Sequence, residues 1–148
     1  MKVVPVVQFL TAGAAIVLLA KYLPQYNLIF EFQEALSYVI SALAFLILAG
    51  AIFSFQQAKT TVDPMHPEKA TSLVTSGIYR ITRNPMYMAM LLLLVAFCIQ
   101  KGTLLGLVPT LAFIWSMTTF QIKPEEKALT EIFGESYLTY KGKVRRWI

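Results

Sequence analysis

The chain has 148 residues, of which 57% are hydrophobic and only 14% are charged. An ordinary soluble domain is roughly 45–50% apolar, so this composition excludes one and indicates a polytopic membrane protein with a single membrane domain over residues 1–148. Basic cytoplasmic loops facing anionic lipid account for the net charge of +5, and nucleic acid is not an expected partner.

The sequence contains one cysteine, Cys98, and one histidine, His66. A single cysteine cannot form an internal disulfide, and Cys98 is interpreted as a small buried hydrophobe. His66 lies in a loop bounded by prolines and is interpreted as a surface residue. Because no acidic cluster has the spacing of metal ligands, we expect no metal site.

Two apolar segments, residues 3–22 and 36–55, are each close to the ~20 residues that cross a bilayer core. Pro24 ends the first one, because proline cannot continue the helical hydrogen-bond ladder. No cleavable signal peptide is expected, since the first apolar run is too long and no clear cleavage site follows it. Residues 1–56 are therefore assigned to two N-terminal transmembrane helices.

Residues 57–148 are predicted to contain a loop, a helical hairpin and a C-terminal segment. The polar stretch 56–83 begins as irregular loop, whereas residues 86–99 form an apolar but short segment that suits a partial span. Gly102 turns the chain, and residues 103–120 run back as the second arm of the hairpin. Pro109 is expected to kink that arm, because it removes a backbone hydrogen bond.

The last 28 residues are polar and basic. Pro124 fits the first turn of a helix, with Glu125 and Glu126 near the positive end of its dipole, and Gly134 is the predicted stop. Residues 137–147 are expected to form a second short helix or arm at the membrane surface. The predicted fold is therefore all-α, with about four transmembrane helices, the last two of them a hairpin.

The distribution of lysine and arginine predicts the orientation. With both termini and the 56–83 loop inside, 11 of the 13 basic residues lie on the cytoplasmic side, and only Lys21 and Lys101 lie outside. Such an excess of inside charges follows the positive-inside rule. We expect an integral protein of the cell (cytoplasmic) membrane, with both termini and the active site cytoplasmic.

Several polar residues cluster where the hairpin begins. Asn84 and Pro85 are a favoured N-cap and first helical residue, which fits either a well-started helix or an anion site for a carboxylate or phosphate at the helix mouth. Arg80 is interpreted as an anchor for lipid headgroups, whereas Arg83, next to the cap, is a candidate ligand contact. Tyr87 offers a ring face and a hydroxyl.

Glu125 and Glu126 are an acidic pair immediately after an apolar span. One of them is expected to lie on a solvated face near the helix dipole. The other is expected to face the membrane site, where a carboxylate is costly and therefore usually functional. Gln121 is either an interfacial glutamine or a substrate contact.

The run Leu73–Tyr87, followed after the hairpin by the Glu125-Glu126 pair and by Phe133-Gly134-Glu-Ser-Tyr137, resembles the isoprenylcysteine carboxyl methyltransferase family, which is related to the phospholipid methyltransferases. The shared pattern is Gly-x-Tyr, Arg-(His or Asn)-Pro-x-Tyr, a hairpin, Glu-Glu and Phe-Gly-x-x-Tyr. The resemblance covers roughly residues 61–148. It implies a membrane enzyme that moves a methyl group from S-adenosylmethionine to a lipid-like acceptor.

The resemblance also implies a cytoplasmic cofactor pocket between the hairpin and the C-terminal segment. Arg83 and Gln121 are the candidate catalytic residues. The implied cofactor contacts are Thr71, Ser72, Leu73, Val74, Tyr79, Asn84, Pro85, Met86, Tyr87 and Glu125. Asn84 replaces the histidine of the isoprenylcysteine enzymes, and Gln121 replaces an arginine thought to hold the substrate carboxylate in the eukaryotic ones.

Two other functions stay open at this stage. Membrane sterol reductases, which use NADPH, resemble this architecture in their C-terminal region. A non-enzymatic protein that holds lipid headgroups with its basic loops is the third possibility. The acceptor stays open among phospholipid amine, prenylated thiol, small thiol and carboxylate, and nothing in the sequence indicates an oligomeric state.

Overall fold

The computed structural model describes residues 4–58 and 72–148. These residues form helices α1 (Pro5–Tyr22), α2 (Gln33–Gln57), α3 (Pro85–Lys101), α4 (Leu107–Ser116), α5 (Lys123–Phe133) and α6 (Glu135–Lys143). Short 3₁₀ turns lie at Pro24–Tyr26, Gly77–Arg80 and Leu104–Gly106, and a π-helical turn at Met117–Ile122 joins α4 to α5. The predicted all-α fold is confirmed.

Three helical stretches of the described chain are long and apolar enough to cross a membrane: α1, α2 and the continuous stretch Leu104–Phe133. Helix α3 is also apolar but has only 17 residues, in keeping with the partial span expected for this segment. The protein is therefore an all-α polytopic membrane protein, built from three long helices and one shorter one.

The two short connections at one end of the molecule are joined to each other. Asn27 and Thr103 form an isolated antiparallel bridge, and the Leu28 N–H donates to the Gly102 carbonyl at 2.6 Å. The Gln33 side chain adds a bond to the Gln100 carbonyl at 3.2 Å. Because the α1–α2 and α3–α4 connections share this end, the segment that leads into α3 and the start of α5 lie together at the opposite end.

Helix α2 packs along α3 and against the Gly77–Arg80 turn. Its buried positions are the small residues Ser37, Ala44, Ala51 and Ser54, and small residues allow neighbouring backbones to approach closely, as is common in membrane proteins. Large side chains on its other faces, such as Phe45 and Leu46, are exposed. Those faces are the surface that α2 offers to lipid.

A second set of contacts joins α1, α3 and α4. Its buried members are Ala12, Ile16, Tyr87, Leu94, Cys98, Phe113, Met117 and Ile122. Cys98 is thus a buried small residue, as predicted, and its thiol lies 3.5 Å from the Thr110 hydroxyl. Because Tyr87 belongs to this cluster, its ring is held by the apolar core while its hydroxyl reaches the end of the bundle.

The kink expected at Pro109 stays a prediction. Pro109 lies in the first turn of α4, directly after the 3₁₀ turn Leu104–Gly106. A second departure from α-helical geometry lies further along, at the π-helical turn Met117–Ile122. The C-terminal helices agree with the prediction, since Pro124 stands in the first turn of α5 and Gly134, at φ 51°, ends it.

Some sequence predictions concern residues outside the described ranges. These are the basic residues Lys2, Lys59 and Lys69, the surface role of His66, and the cofactor contact of Thr71.

The positive-inside pattern predicts where the two ends of the bundle lie. We expect green fluorescent protein fused after Ile148 to fluoresce in a bacterial host, because it folds in the cytoplasm. We expect alkaline phosphatase fused after Gly102 to be active, because that connection lies at the other end of the bundle. The opposite pattern in the two fusions would overturn the orientation.

Gly77 is predicted to be essential for the turn before α3. Its φ is +59°, and a Cβ there would lie 2.6 Å from the Ser54 hydroxyl of α2. We expect Gly77→Ala to lower the free energy of unfolding by about 1–2 kcal/mol for the left-handed backbone alone, measured by SDS titration. Gly50→Ala is the control, since its added Cβ would be 3.8 Å from Ile78. Equal stability of the two variants would contradict this interpretation.

Candidate functional site

Tyr87 and Glu125 meet at the end of the hairpin where α3 begins and where the π-helical turn leads into α5. We call this end the hairpin mouth. Each is the third residue of its helix, in α3 and α5 respectively. The Tyr87 hydroxyl donates to the Glu125 Oε2 at 3.0 Å, and the Glu125 side chain is only half-buried. The pair therefore presents an oriented carboxylate next to a phenol at the hairpin mouth.

Gln121 adds an amide to this pair. It lies in the π-helical turn, is only 2% exposed, and its side chain hydrogen-bonds the Tyr87 hydroxyl. Single π-turns inside α-helices occur frequently at functional sites. Here the wider turn carries the polar Gln121 inward, beside Tyr87, instead of leaving it at the lipid interface.

Tyr79 approaches the same carboxylate from the Gly77–Arg80 turn. Its ring meets Phe55 of α2 edge-on, with 5.4 Å between centroids, and its carbonyl accepts a 2.7 Å hydrogen bond from the Tyr140 hydroxyl. Burial, and after it the negative charge of Glu125, raises the pKa of the Tyr79 phenol above its usual range. Tyr79 therefore stays a neutral phenol close to Glu125.

The expectation that one of the two glutamates is solvated is wrong. Glu126 is 6% exposed and is surrounded by cations. Its Oε1 accepts from Arg83 Nη2 and from Arg146 Nε, each at 2.8 Å, and its Oε2 accepts from Arg146 Nη2 at 2.9 Å. Lys141 Nζ lies 3.6 Å from Oε2. Removing one partner from such a buried ion cluster typically costs about 3–5 kcal/mol.

The last residues of the chain lie across the hairpin mouth. We call residues 144–147 the C-terminal strap. Three backbone-directed bonds hold it: the Arg83 N–H donates to the Arg145 carbonyl at 3.1 Å, and the Arg146 carbonyl accepts from the Thr82 hydroxyl at 3.2 Å and from the Asn84 amide at 2.9 Å. The Trp147 indole donates to the Thr118 hydroxyl at 3.2 Å. The strap thus joins the start of α3 to the π-helical turn.

The predicted capping role of the Asn84 side chain is wrong. Asn84 is the N-cap residue of α3 and Pro85 the first helical residue, but no side chain caps the helix. The Asn84 amide is instead turned toward the Arg146 carbonyl. As a result, the first N–H groups of α3, on Met86 and Tyr87, have no side-chain cap, and the helix dipole is directed at the mouth.

Arg83, the first predicted catalytic residue, is held on both sides. Its Nη1 donates to the Lys141 carbonyl at 3.1 Å and its Nη2 pairs with Glu126. Its side chain is 8% exposed, and among the described residues its buried Nε–H has no hydrogen-bond partner. Arg83 is therefore anchored and retains one free donor, whereas Arg80 is exposed, as expected of a headgroup anchor.

The remaining predicted cofactor residues serve mainly in packing. The Ser72 hydroxyl donates to the Ala58 carbonyl at 3.0 Å. Leu73, Val74 and Met86 pack with an apolar cluster that contains Tyr79, and Pro85 is buried. Backbone groups of residues 72–74 are therefore what this segment could offer to a ligand.

The predicted C-terminal arm is a helix, but it packs on the protein. Tyr137 and Tyr140 of α6 are buried against Val74, Tyr79 and Ala51. Burial, followed by the nearby Glu126 charge, raises the pKa of Tyr137 to about 12. Helix α6 therefore carries the strap to its position, and its location at the membrane surface stays a prediction.

Sequence reasoning missed Lys141 and Arg146 as members of the site. Both were counted only as positive-inside charges. The signal that could have found them is Glu126 itself, because a carboxylate directed into a membrane protein requires a partner. Within the described ranges, no group of three or more His, Cys, Asp or Glu side chains could hold a metal ion.

The phospholipid methyltransferase family model matches residues 32–136. The protein-S-isoprenylcysteine O-methyltransferase of Schizosaccharomyces pombe is 33% identical over 116 residues, which cover 72% of this chain and 48% of that protein. The methanethiol S-methyltransferase of Pseudomonas deceptionensis is 34% identical over 109 residues, which cover 72% of this chain and 39% of that one.

An uncharacterized protein of Haemophilus influenzae is 41% identical over 63 residues, which cover 43% of this chain and 100% of that protein. The chain spans about half the length, or less, of the two methyltransferases that it matches. The family model nevertheless extends from the end of the first connection to the start of α6 and covers more than half of the chain. This membrane protein therefore belongs to the phospholipid methyltransferase family.

Proposed function

We propose that the protein transfers a methyl group from S-adenosylmethionine to a membrane-dissolved, lipid-like or small hydrophobic acceptor. Family membership supports methyl transfer in general. The observation that carries the proposal is the arrangement of Tyr87, Glu125 and Gln121 at the hairpin mouth, where an oriented carboxylate, an amide and a phenol meet.

The residues at the mouth fit a zwitterionic cofactor. The first N–H groups of α3 and the free Nε–H of Arg83 are donors suited to a carboxylate. Glu125 and the neutral Tyr79 phenol suit hydroxyls or an amine.

When bound, S-adenosylmethionine supplies an electrophilic methyl group on a positively charged sulfur. The protein's contribution is to align the acceptor with that methyl group and to exclude water, which together can lower the barrier by many kcal/mol. Free negative charge beside the sulfur would oppose the reaction, because the sulfur loses its charge on transfer. Here Tyr87 hydrogen-bonds Glu125, and three cations surround Glu126.

The acceptor is inferred from the charges at the mouth. The cations described there, Arg83, Lys141 and Arg146, all contact Glu126, and Gln121 contributes a neutral amide. This arrangement gives no strong reason to favour an acceptor carboxylate. A thiol is the acceptor class that we place first, because its thiolate is a strong nucleophile that needs no buried general base.

The cellular setting is part of the same proposal. Residues 1–148 would act as one membrane domain in the cell membrane, with the hairpin mouth on the cytoplasmic side and membrane lipid around α1 and α2. No feature of the described residues specifically favours an NADPH-dependent reductase or a headgroup scaffold, and the two relatives above with a stated activity are both methyltransferases.

Cofactor binding is predicted to depend on Glu125 and Tyr87. A hydrogen bond to a charged group is worth about 1.5–3 kcal/mol, so Glu125→Ala should weaken binding of S-adenosylhomocysteine by roughly 10- to 100-fold in isothermal titration calorimetry, and Tyr87→Phe by a smaller factor. Glu131→Ala is the matched control, because Glu131 is an exposed residue of the same helix. No saturable binding to the unmodified protein, or equal affinities for all the variants, would refute the proposal.

Methyl transfer is predicted to favour a thiol acceptor. Purified protein in nanodiscs with methyl-labelled S-adenosylmethionine should label methanethiol or another small apolar thiol more than a prenylcysteine carboxylate or phosphatidylethanolamine. A native lipid extract, treated in parallel, identifies an acceptor outside this panel. Preferential labelling of the carboxylate would contradict the inference drawn from Gln121, and no labelling of any acceptor would contradict the methyl transfer itself.

A further inference from the structure

We propose that Glu126 is a positioning residue: it fastens the C-terminal strap to the hairpin mouth and thereby keeps the neighbouring Glu125 and the start of α3 in their binding arrangement. The inference rests on the proposed function for its ligand. Its structural half, the fastening of the strap, stands on the contacts of Glu126 alone.

Both carboxylate oxygens of Glu126 are occupied by protein partners, which leaves none for a ligand. Both of its carboxylate oxygens accept short hydrogen bonds from guanidinium groups, and Lys141 lies 3.6 Å from one of them. The side chain is 6% exposed. Its neighbour Glu125 is half-buried and bonds to Tyr87. The two adjacent glutamates therefore have different tasks, although the sequence presents them as an equivalent pair.

The partners of Glu126 come from three separate parts of the chain. Arg83 precedes α3, Lys141 belongs to α6, and Arg146 lies in the strap. One carboxylate on the first turn of α5 thus joins all three. The bidentate bond with Arg146 also fixes geometry, because the planar guanidinium matches the carboxylate in only a few orientations.

The strap is also linked to the uncapped start of α3 through Asn84. Asn84 is the N-cap residue, and asparagine is among the side chains that cap helices best. Its amide bonds to the Arg146 carbonyl instead of capping α3. If the strap detaches, Asn84 is free to turn and cap the helix, where it would compete with an anionic group of a ligand. Docking of the strap and binding at the mouth are therefore coupled.

Trp147 makes the strap directly observable. The chain has two tryptophans, Trp115 and Trp147. Trp115 is 64% exposed on α4, whereas the Trp147 indole is partly buried and bonds to Thr118. In a Trp115→Phe background, quenching by acrylamide in nanodiscs therefore reports on the strap without any ligand.

The test compares Glu126→Gln with Glu131→Gln in that background. We expect Glu126→Gln to increase the quenching constant of Trp147 at least twofold, because a neutral amide cannot hold the two guanidinium groups, and Glu131→Gln to leave it unchanged. Arg146→Gln, which leaves Glu126 two other cations, should act in the same direction. Because both substitutions break the same contact, the double variant Glu126→Gln/Arg146→Gln should have a Trp147 quenching constant no higher than that of Glu126→Gln alone.

The second measurement adds S-adenosylhomocysteine. Glu126→Gln should weaken its binding at least tenfold, and saturation should return the Trp147 quenching toward the unmodified value, because coupling between two events acts in both directions. Glu125→Gln should weaken binding while the Trp147 quenching stays unchanged. This contrast separates a ligand contact from a positioning residue and also from a general loss of folding.

Each result decides the inference. Unchanged Trp147 quenching in both Glu126→Gln and Arg146→Gln would show that the ion cluster does not hold the strap. A released strap with unchanged affinity would show that the strap does not position the site. If the unmodified protein binds no S-adenosylhomocysteine while its Trp147 is protected, the proposed function fails and the positioning role fails with it, whereas the fastening of the strap by Glu126 is still decided by the quenching.

Discussion

The ion cluster around Glu126 is the interaction on which the functional end of this molecule depends. A carboxylate buried in a membrane protein is stable only with matching charge around it, and here that charge is supplied by Arg83, Lys141 and Arg146. These three residues belong to different segments. Their ion pairs with the Glu126 carboxylate therefore hold the hairpin, α6 and the strap together. The strap, the direction of the Asn84 side chain and the uncapped start of α3 follow from that arrangement.

The mouth of the hairpin combines rigidity with available polar groups. The ring of Tyr87 is held in the apolar core, and the backbone of Tyr79 is held by the hydrogen bond from Tyr140 to its carbonyl. These contacts fix the positions of the Tyr87 and Tyr79 side chains. Glu125 and the uncapped first N–H groups of α3 lie together at this end and offer polar groups of both signs. Such an arrangement suits a zwitterionic ligand whose own charges must be matched without placing free negative charge beside a sulfonium.

Much of the fold could be predicted because the thickness of the bilayer sets the length of each apolar segment, and that length can be read from local sequence. The two N-terminal spans, the short α3, the turn at Gly102, Pro124 at the start of α5 and Gly134 at its end all reflect hydrophobic length or backbone preferences of single residues. The predictions that were wrong concern competition between partners. Asn84 is a good cap taken in isolation, but the Arg146 carbonyl competes for its amide.

The sequence by itself determined the membrane class, the order and approximate bounds of the helices, the family resemblance and the residues from which a site at the hairpin mouth would be built. These depend on composition, on motif spacing and on preferences that act within a few residues. Only the tertiary structure decided which of two adjacent glutamates bonds to Tyr87 at the hairpin mouth and which is enclosed by cations. That choice depends on Arg83, Lys141 and Arg146, which approach from distant parts of the chain, and the spacing of a Glu-Glu pair carries no information about charges that only folding brings within 4 Å.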